Sequence, residues 1–157
     1  MSESRDSSDR RRVFLSHSSK DRAFVLRIVT FLRQNKIGFW YSESHLRGAQ
    51  QWHDEIGRAL AKCNWLLLVL SPNAIRSPWV KRELLYALEQ RRYNEKIIPL
   101  LYKPCKYARL SWTLSGFQMI DFTDDFDTAC QQLLRVWESP HRPKPRRRPS
   151  RTNQKRP

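Results

Sequence analysis

Glycine is scarce in this 157-residue chain, with four residues against nine prolines and three cysteines. No Gly-x-Gly-x-x-Gly run occurs, which argues against a dinucleotide held as a redox cofactor on a Rossmann turn. A Gly-x-Ser-x-Gly elbow is missing as well, and with it the nucleophile of an α/β-hydrolase. Cys63, Cys105 and Cys130 are odd in number, widely spaced and form no Cys-x-x-Cys pair. Neither a disulfide framework nor a zinc ribbon is supported. His45, His53 and His141 have no paired ligand spacing, so no metal is expected. The longest apolar run, Trp65–Leu70, is far too short to cross a bilayer. The first twelve residues are polar and charged, unlike a signal peptide. The expectation is a soluble, cytoplasmic chain with one folded domain.

What is present suffices for a core: 39% of the residues are hydrophobic and 11% aromatic. The formal charge is +15, but its distribution matters more than its sum. Residues 139–157 hold eight Lys or Arg, five Pro and no acid, which leaves +7 on residues 1–138. A segment so rich in proline and charge, without an apolar cluster, reads as a disordered basic arm. Residues 1–11 read as disordered too, and 12–138 as the domain. The tail could attract nucleic acid or an anionic membrane. It contains no aromatic on which a base could stack, so a solubilising role is preferred and nucleic acid is not expected as a partner.

Short apolar runs alternate with amphipathic stretches between those ends. Val13–Leu15, Ile37–Tyr41, Trp65–Leu70, Ile97–Leu101 and Met119–Phe122 are expected strands. Trp65–Leu70 shows no polar alternation, as in a parallel strand covered on both faces. Helical periods occupy Asp21–Gln34, a stretch marked by Ile56, Ala59, Leu60 and Cys63, a stretch from Ser77 to about Arg92, and Asp125–Glu138. Ser77 caps the third of these with Pro78 at its first position. Ser42–Gln51 reads as a polar loop and 103–117 as irregular. Cys63 and Cys130 fall on apolar faces, and Cys105 is the cysteine expected to be exposed. Alternation of this kind calls for a flavodoxin-like three-layer α/β/α fold with a five-stranded parallel sheet. Ligands bind such sheets beyond the carboxyl ends of the strands. Here that edge carries Ser16–Ser19, the 42–51 loop and the segment from Ser71 to Glu83. Ser16 and His17 are adjacent on one strand and point to opposite sides, which defeats a catalytic triad between them.

Three segments share that edge: Phe14-Leu15-Ser16-His17, Leu46-Arg47-Gly48, and Ser77-Pro78-Trp79-Val80-Lys81-Arg82-Glu83-Leu84. In order and spacing they resemble the Toll/interleukin-1 receptor (TIR) domain, most closely its bacterial stand-alone members, over about residues 12–138. The 42–51 loop departs from the receptor type in lacking Arg-Asp and Pro-Gly. The family's C-terminal Phe-Trp box is not evident either, although Trp137 lies near its place. The resemblance implies NAD⁺ as substrate, with no cofactor, cleaved between nicotinamide and ribose to ADP-ribose or a cyclic isomer. Glu83 stands where the family has its essential glutamate. A carboxylate there suits the positive charge that develops on ribose.

Ser16, His17 and Ser18 would floor the nucleotide pocket, Arg47 would reach the diphosphate, and Trp79 would close the pocket or stack on a ring. Each has a plainer alternative: a solvated Glu83 and Arg47, a Trp79 that only packs, and Ser71 and Ser77 as turn and cap residues. The resemblance further implies a homo-oligomer or filament through the 42–51 loop and a role in anti-phage defence. It also implies a separate effector reached through the nucleotide product. The alternative is a non-catalytic module that recruits other TIR domains.

Overall fold

The computed structural model describes residues 11–41 and 49–138, with only the backbone of 49–53. The expectations for 1–10, for 139–157 and for 42–48 fall outside the described residues. Five parallel strands form one sheet in the order β2-β1-β3-β4-β5. They are β1 (Arg12–Ser16), β2 (Gly38–Trp40), β3 (Trp65–Leu70), β4 (Ile97–Leu101) and β5 (Ile120–Asp121). Four helices lie in the connections, α1 (Arg22–Gln34), α2 (Ala49–Lys62), α3 (Pro72–Ile75) and α4 (Pro78–Glu89), and α5 (Phe126–Glu138) follows the last strand. Among the described residues no helix is long and apolar enough to cross a membrane.

All six residues of β3 are buried, because side chains of alternate parity feed two separate cores. Trp65, Leu67 and Val69 pack with Val13, Leu15 and the inner faces of α1 and α5. Leu66, Leu68 and Leu70 pack with Phe14 and with Ile56, Leu60, Val80 and Leu84 from α2 and α4. Pro99 sits inside β4, where a missing N–H would ordinarily break the ladder. β5 comes into register only at Leu100 and Leu101, so no bond from position 99 is needed.

Several boundaries differ from the sequence expectation. Residues 49–51 begin α2 instead of ending a loop. Ser71-Pro72 does more than end a strand: Ser71 Oγ accepts the Ala74 N–H at 3.0 Å and starts α3. The helix expected to reach Arg92 stops at Glu89. Gln90 turns extended, which lets Tyr93 bury itself and donate its hydroxyl to the Leu60 carbonyl at 2.6 Å. Arg92 joins it there, donating to the carbonyls of Leu60 at 2.9 Å and Cys63 at 3.3 Å, so the chain leaves one helix to close the end of another. Cys105 is half-buried, not exposed. Cys63 and Cys130 are buried, and burial pushes both thiols up to about 11. Arg11, within the stretch read as disordered, donates to the Trp137 carbonyl at 2.8 Å.

The turn after α1 inverts a natural reading of Gly38. Lys36, at φ 55°, is the left-handed residue. Its N–H donates to the Arg33 carbonyl at 3.0 Å, and that of Ile37 to the Leu32 carbonyl at 3.0 Å. This is the Schellman pattern, whose left-handed position favours glycine. Gly38 instead lies in β2, and a Cβ there would meet the Arg11 carbonyl at an ordinary 3.6 Å. Lys36→Gly should therefore stabilise the fold by about 1 kcal/mol in urea denaturation, by relieving the left-handed strain. Gly38→Ala should change the midpoint little.

Candidate active site

Strand parity decides which way the Ser16–Ser18 segment works. Ser16 follows Phe14 by two residues and so faces the α4 side of the sheet. Ser77 starts α4 by accepting the Val80 N–H at 3.3 Å, with Pro78 at the first position. Two turns later Glu83 lies against the end of β1, only 7% exposed. Ser16 Oγ donates a short hydrogen bond to Glu83 Oε2. Burial drives the Glu83 carboxyl up to about 8, against the smaller lowering effect of the Ser16 hydroxyl. Near neutrality the carboxyl therefore retains its proton in the free protein. It is not the solvated helix carboxylate that an isolated reading would assume.

The other expected residues take different parts. The Ser16 hydroxyl is committed to Glu83 and is not presented to a phosphate. Ser18 is buried, and its hydroxyl accepts the Lys20 N–H at 3.3 Å, capping the turn Ser19–Asp21. His17 lies half-buried with Nδ1 3.2 Å from the Leu15 carbonyl, an acceptor, so that nitrogen carries the proton. Its ring centroid is 6.1 Å from that of Tyr41. Trp79 is half-buried against the α2/α4 core, with the Arg82 guanidinium 5.1 Å from its ring centre. Arg47 lies outside the described residues.

Asp21 is the residue whose part the sequence did not disclose. It is buried at the start of α1, where Ser71 Oγ donates to Oδ2 at 2.5 Å and Asn73 Nδ2 to Oδ1 at 3.0 Å. This clamp ties the turn after β1 to the turn after β3. The Cys105 thiol is raised by its own burial first and by the Asp21 charge second. The signal lay in Asp21 following Ser16 by five residues and in Asn73 following Ser71 by two, but their partnership spans about fifty positions. The same edge of the sheet thus carries the Asp21 clamp and a shielded, protonated carboxyl with one aimed hydroxyl. Such a group can give up its proton when a positive charge comes near, and then stabilise that charge.

A family model described as TIR domain matches residues 13–134. Over 95 residues the chain is 27% identical to the 2′ cyclic ADP-D-ribose synthase BtTIR of Bacteroides thetaiotaomicron, covering 59% of this chain and 33% of that protein. Over 90 residues it is 29% identical to the NAD(+) hydrolase TcpC of Escherichia coli, covering 55% and 29%. The chain thus spans about a third of the length of these curated relatives. A solved structure, the TIR domain of the Toll-related receptor TRR-2 from Hydra magnipapillata, superimposes with a TM-score of 0.65 at 20% identity. That match covers 81% of this chain and 98% of the other.

Two stability measurements follow from the geometry. Below about pH 4.5 Glu83 is protonated in both the folded and the unfolded chain. Between there and about 8 only the unfolded chain loses that proton, so this group makes stability fall as pH rises. Glu83→Gln should remove a slope of about 1.4 kcal/mol per pH unit from urea-denaturation stabilities across that window. Asp21→Ala, which strands the Ser71 and Asn73 donors, should cost about 2–4 kcal/mol at pH 7 by the same method.

Proposed function

The chain belongs to the TIR domain family, and on that premise we propose that it consumes NAD⁺, with Glu83 as its catalytic carboxylate. The observation that supports this reading is a glutamate buried at the carboxyl edge of a parallel sheet, its carboxyl raised to about 8 and aimed by Ser16. A carboxyl displaced so far by burial is costly to a fold and typical of sites that handle charge. The relatives named as a 2′ cyclic ADP-D-ribose synthase and an NAD(+) hydrolase support the dinucleotide as the substrate.

The reaction breaks the bond between nicotinamide N1 and ribose C1′. The bonding pair leaves with nicotinamide, which becomes neutral, and positive charge spreads over C1′ and the ring oxygen. The approach of the cationic nicotinamide riboside favours the ionised form of Glu83, whose proton passes to solvent water, and the resulting carboxylate stabilises the ribosyl cation. The Ser16 O–H keeps that carboxylate oriented. Water then adds at C1′ and releases a proton, giving ADP-ribose; attack by another group of the same molecule closes a cyclic isomer. His17, Ser18, Arg47 and Trp79 complete the pocket around the dinucleotide. Chains associate through the 42–51 segment into homo-oligomers or filaments, and a cyclic product would reach a separate effector in anti-phage defence in the cytoplasm. The domain is residues 12–138.

Nicotinamide release, followed by chromatography at high protein concentration, tests the proposal. Glu83→Gln should lower kcat/KM by about a hundred- to a thousandfold while the protein stays folded. For the wild type, kcat/KM should climb with pH through about 8, since that profile reports the free protein's essential base. Ser16→Ala should move the climb to higher pH, because the Ser16 hydroxyl lowers the Glu83 value. No turnover by wild type in any assembled state would favour the non-catalytic interaction module.

A further inference from the structure

The connection between β4 and β5 contains a feature that the NAD⁺ reading does not use. From Lys96 to Ile120 the chain has no acidic residue. Within it Lys103, Lys106, Arg109 and Trp112 recur at every third position, and all four are exposed. The Arg109 N–H donates to the Lys106 carbonyl at 3.0 Å, closing a 3₁₀ turn, Tyr107–Arg109. In that geometry positions three apart lie one above the other, so Lys106 and Arg109 share a side. A second 3₁₀ turn, Trp112–Gly116, is capped by Ser111 Oγ, which accepts the Thr113 N–H at 3.2 Å. Buried Leu110 and Leu114 pin the two turns to the α2/α4 core. The result is an indole 81% exposed on an anchored turn.

We propose that this connection binds single-stranded nucleic acid, with Trp112 as the stacking platform and Lys103, Lys106 and Arg109 contacting phosphates. The inference goes beyond the proposed function and does not depend on Glu83. An exposed aromatic face and cations carried on one acid-free connection are the pairing that holds single strands without sequence preference. Lys103 is itself steadied, its Nζ 5.1 Å from the ring centre of Tyr102, which stacks on Phe24 at 4.2 Å. Three exposed cations with no acid between Lys96 and Ile120 would repel the same face of a second copy and favour a polyanion. The residues next to Trp112 are Ser111 and Thr113, with Ser115 and Gly116 beyond, so no aliphatic cluster is offered to a bilayer. Among the described residues the other exposed large apolar side chains, Leu26 and Leu85, belong to α1 and α4. The basic tail lacks an aromatic, so it adds charge without a stacking surface.

Asp121, Asp124, Asp125 and Asp127 follow downstream and limit the footprint. Asp121 accepts both the N–H and the hydroxyl of Thr123, at 2.8 and 2.6 Å, and Asp125 accepts the hydroxyl of Thr128 at 2.5 Å. They are held close to their own backbone.

The test is fluorescence anisotropy of a labelled oligothymidine with the full-length chain, titrated at several salt concentrations. Trp112→Ala should weaken binding roughly five- to a hundredfold. Its melting curve should be unchanged, since the ring is exposed. The triple variant Lys103→Gln, Lys106→Gln, Arg109→Gln should flatten the log–log salt slope by about 2. A full-length variant with the eight Lys and Arg of 139–157 changed to Gln should keep its sensitivity to Trp112→Ala. Binding that ignores Trp112 and vanishes with the tail cations would overturn the proposal, as would no binding at low salt. Trp112-dependent binding to phosphatidylserine vesicles but not to the oligonucleotide would overturn it too.

Discussion

The six side chains of Trp65–Leu70 leave no face of β3 for water, and a strand of that kind is complete only between two layers of helices. Its odd-numbered residues gather α1 and α5, and its even-numbered residues gather α2 and α4. Because the parallel strands beside it carry the same parity, the direction of each neighbouring side chain is set by counting. Phe14 enters the α4 core, and Ser16 must then meet whatever α4 presents two positions further along. That is Glu83. A hydroxyl and a carboxyl 67 positions apart thus meet through the apolarity of a strand to which neither belongs.

Features governed by neighbours in sequence were legible. The unbroken apolar run of β3, the Ser77-Pro78 start of α4 and the period of α5 each carry a local physical signal that survives into the fold. The parallel order of strands followed from their alternation with helices. Features governed by distant partners were less so. α4 stops at Glu89 because Tyr93 and Arg92 are drawn to carbonyls at the end of α2, which no helical period announces. Lys36 takes a left-handed turn where the eye goes to Gly38, since the Schellman bonds are set by where α1 must stop to enter β2. Glu83 could be picked out by its motif, but its burial could not: Lys81-Arg82-Glu83 reads as a solvated run. Asp21 reads only as the start of a helical period, because its partners sit after β3.

The two buried acids do opposite work. Asp21 receives two side-chain donors and braces the turns around it, so it adds cohesion. Glu83 receives the Ser16 hydroxyl in a place where desolvation outweighs that bond, so it weakens the folded state increasingly as pH rises toward 8. The two lie at one edge of one sheet, and the first offsets the second. A fold that tolerates a protonated glutamate there keeps in reserve a negative charge released only when a positive one arrives.

The ends of the sheet bear on how copies of this chain can meet. β2 has three residues and β5 two, so the sheet presents almost no open row of N–H and C=O groups along either border. Strand-to-strand extension, the route by which sheet proteins merge into fibres, has little here to grip. Any lattice of these domains must be joined through side chains of loops and helices, many of them charged. Contacts of that kind loosen with salt and re-form when it is removed. Such a lattice would be reversible, unlike one built on a shared backbone ladder.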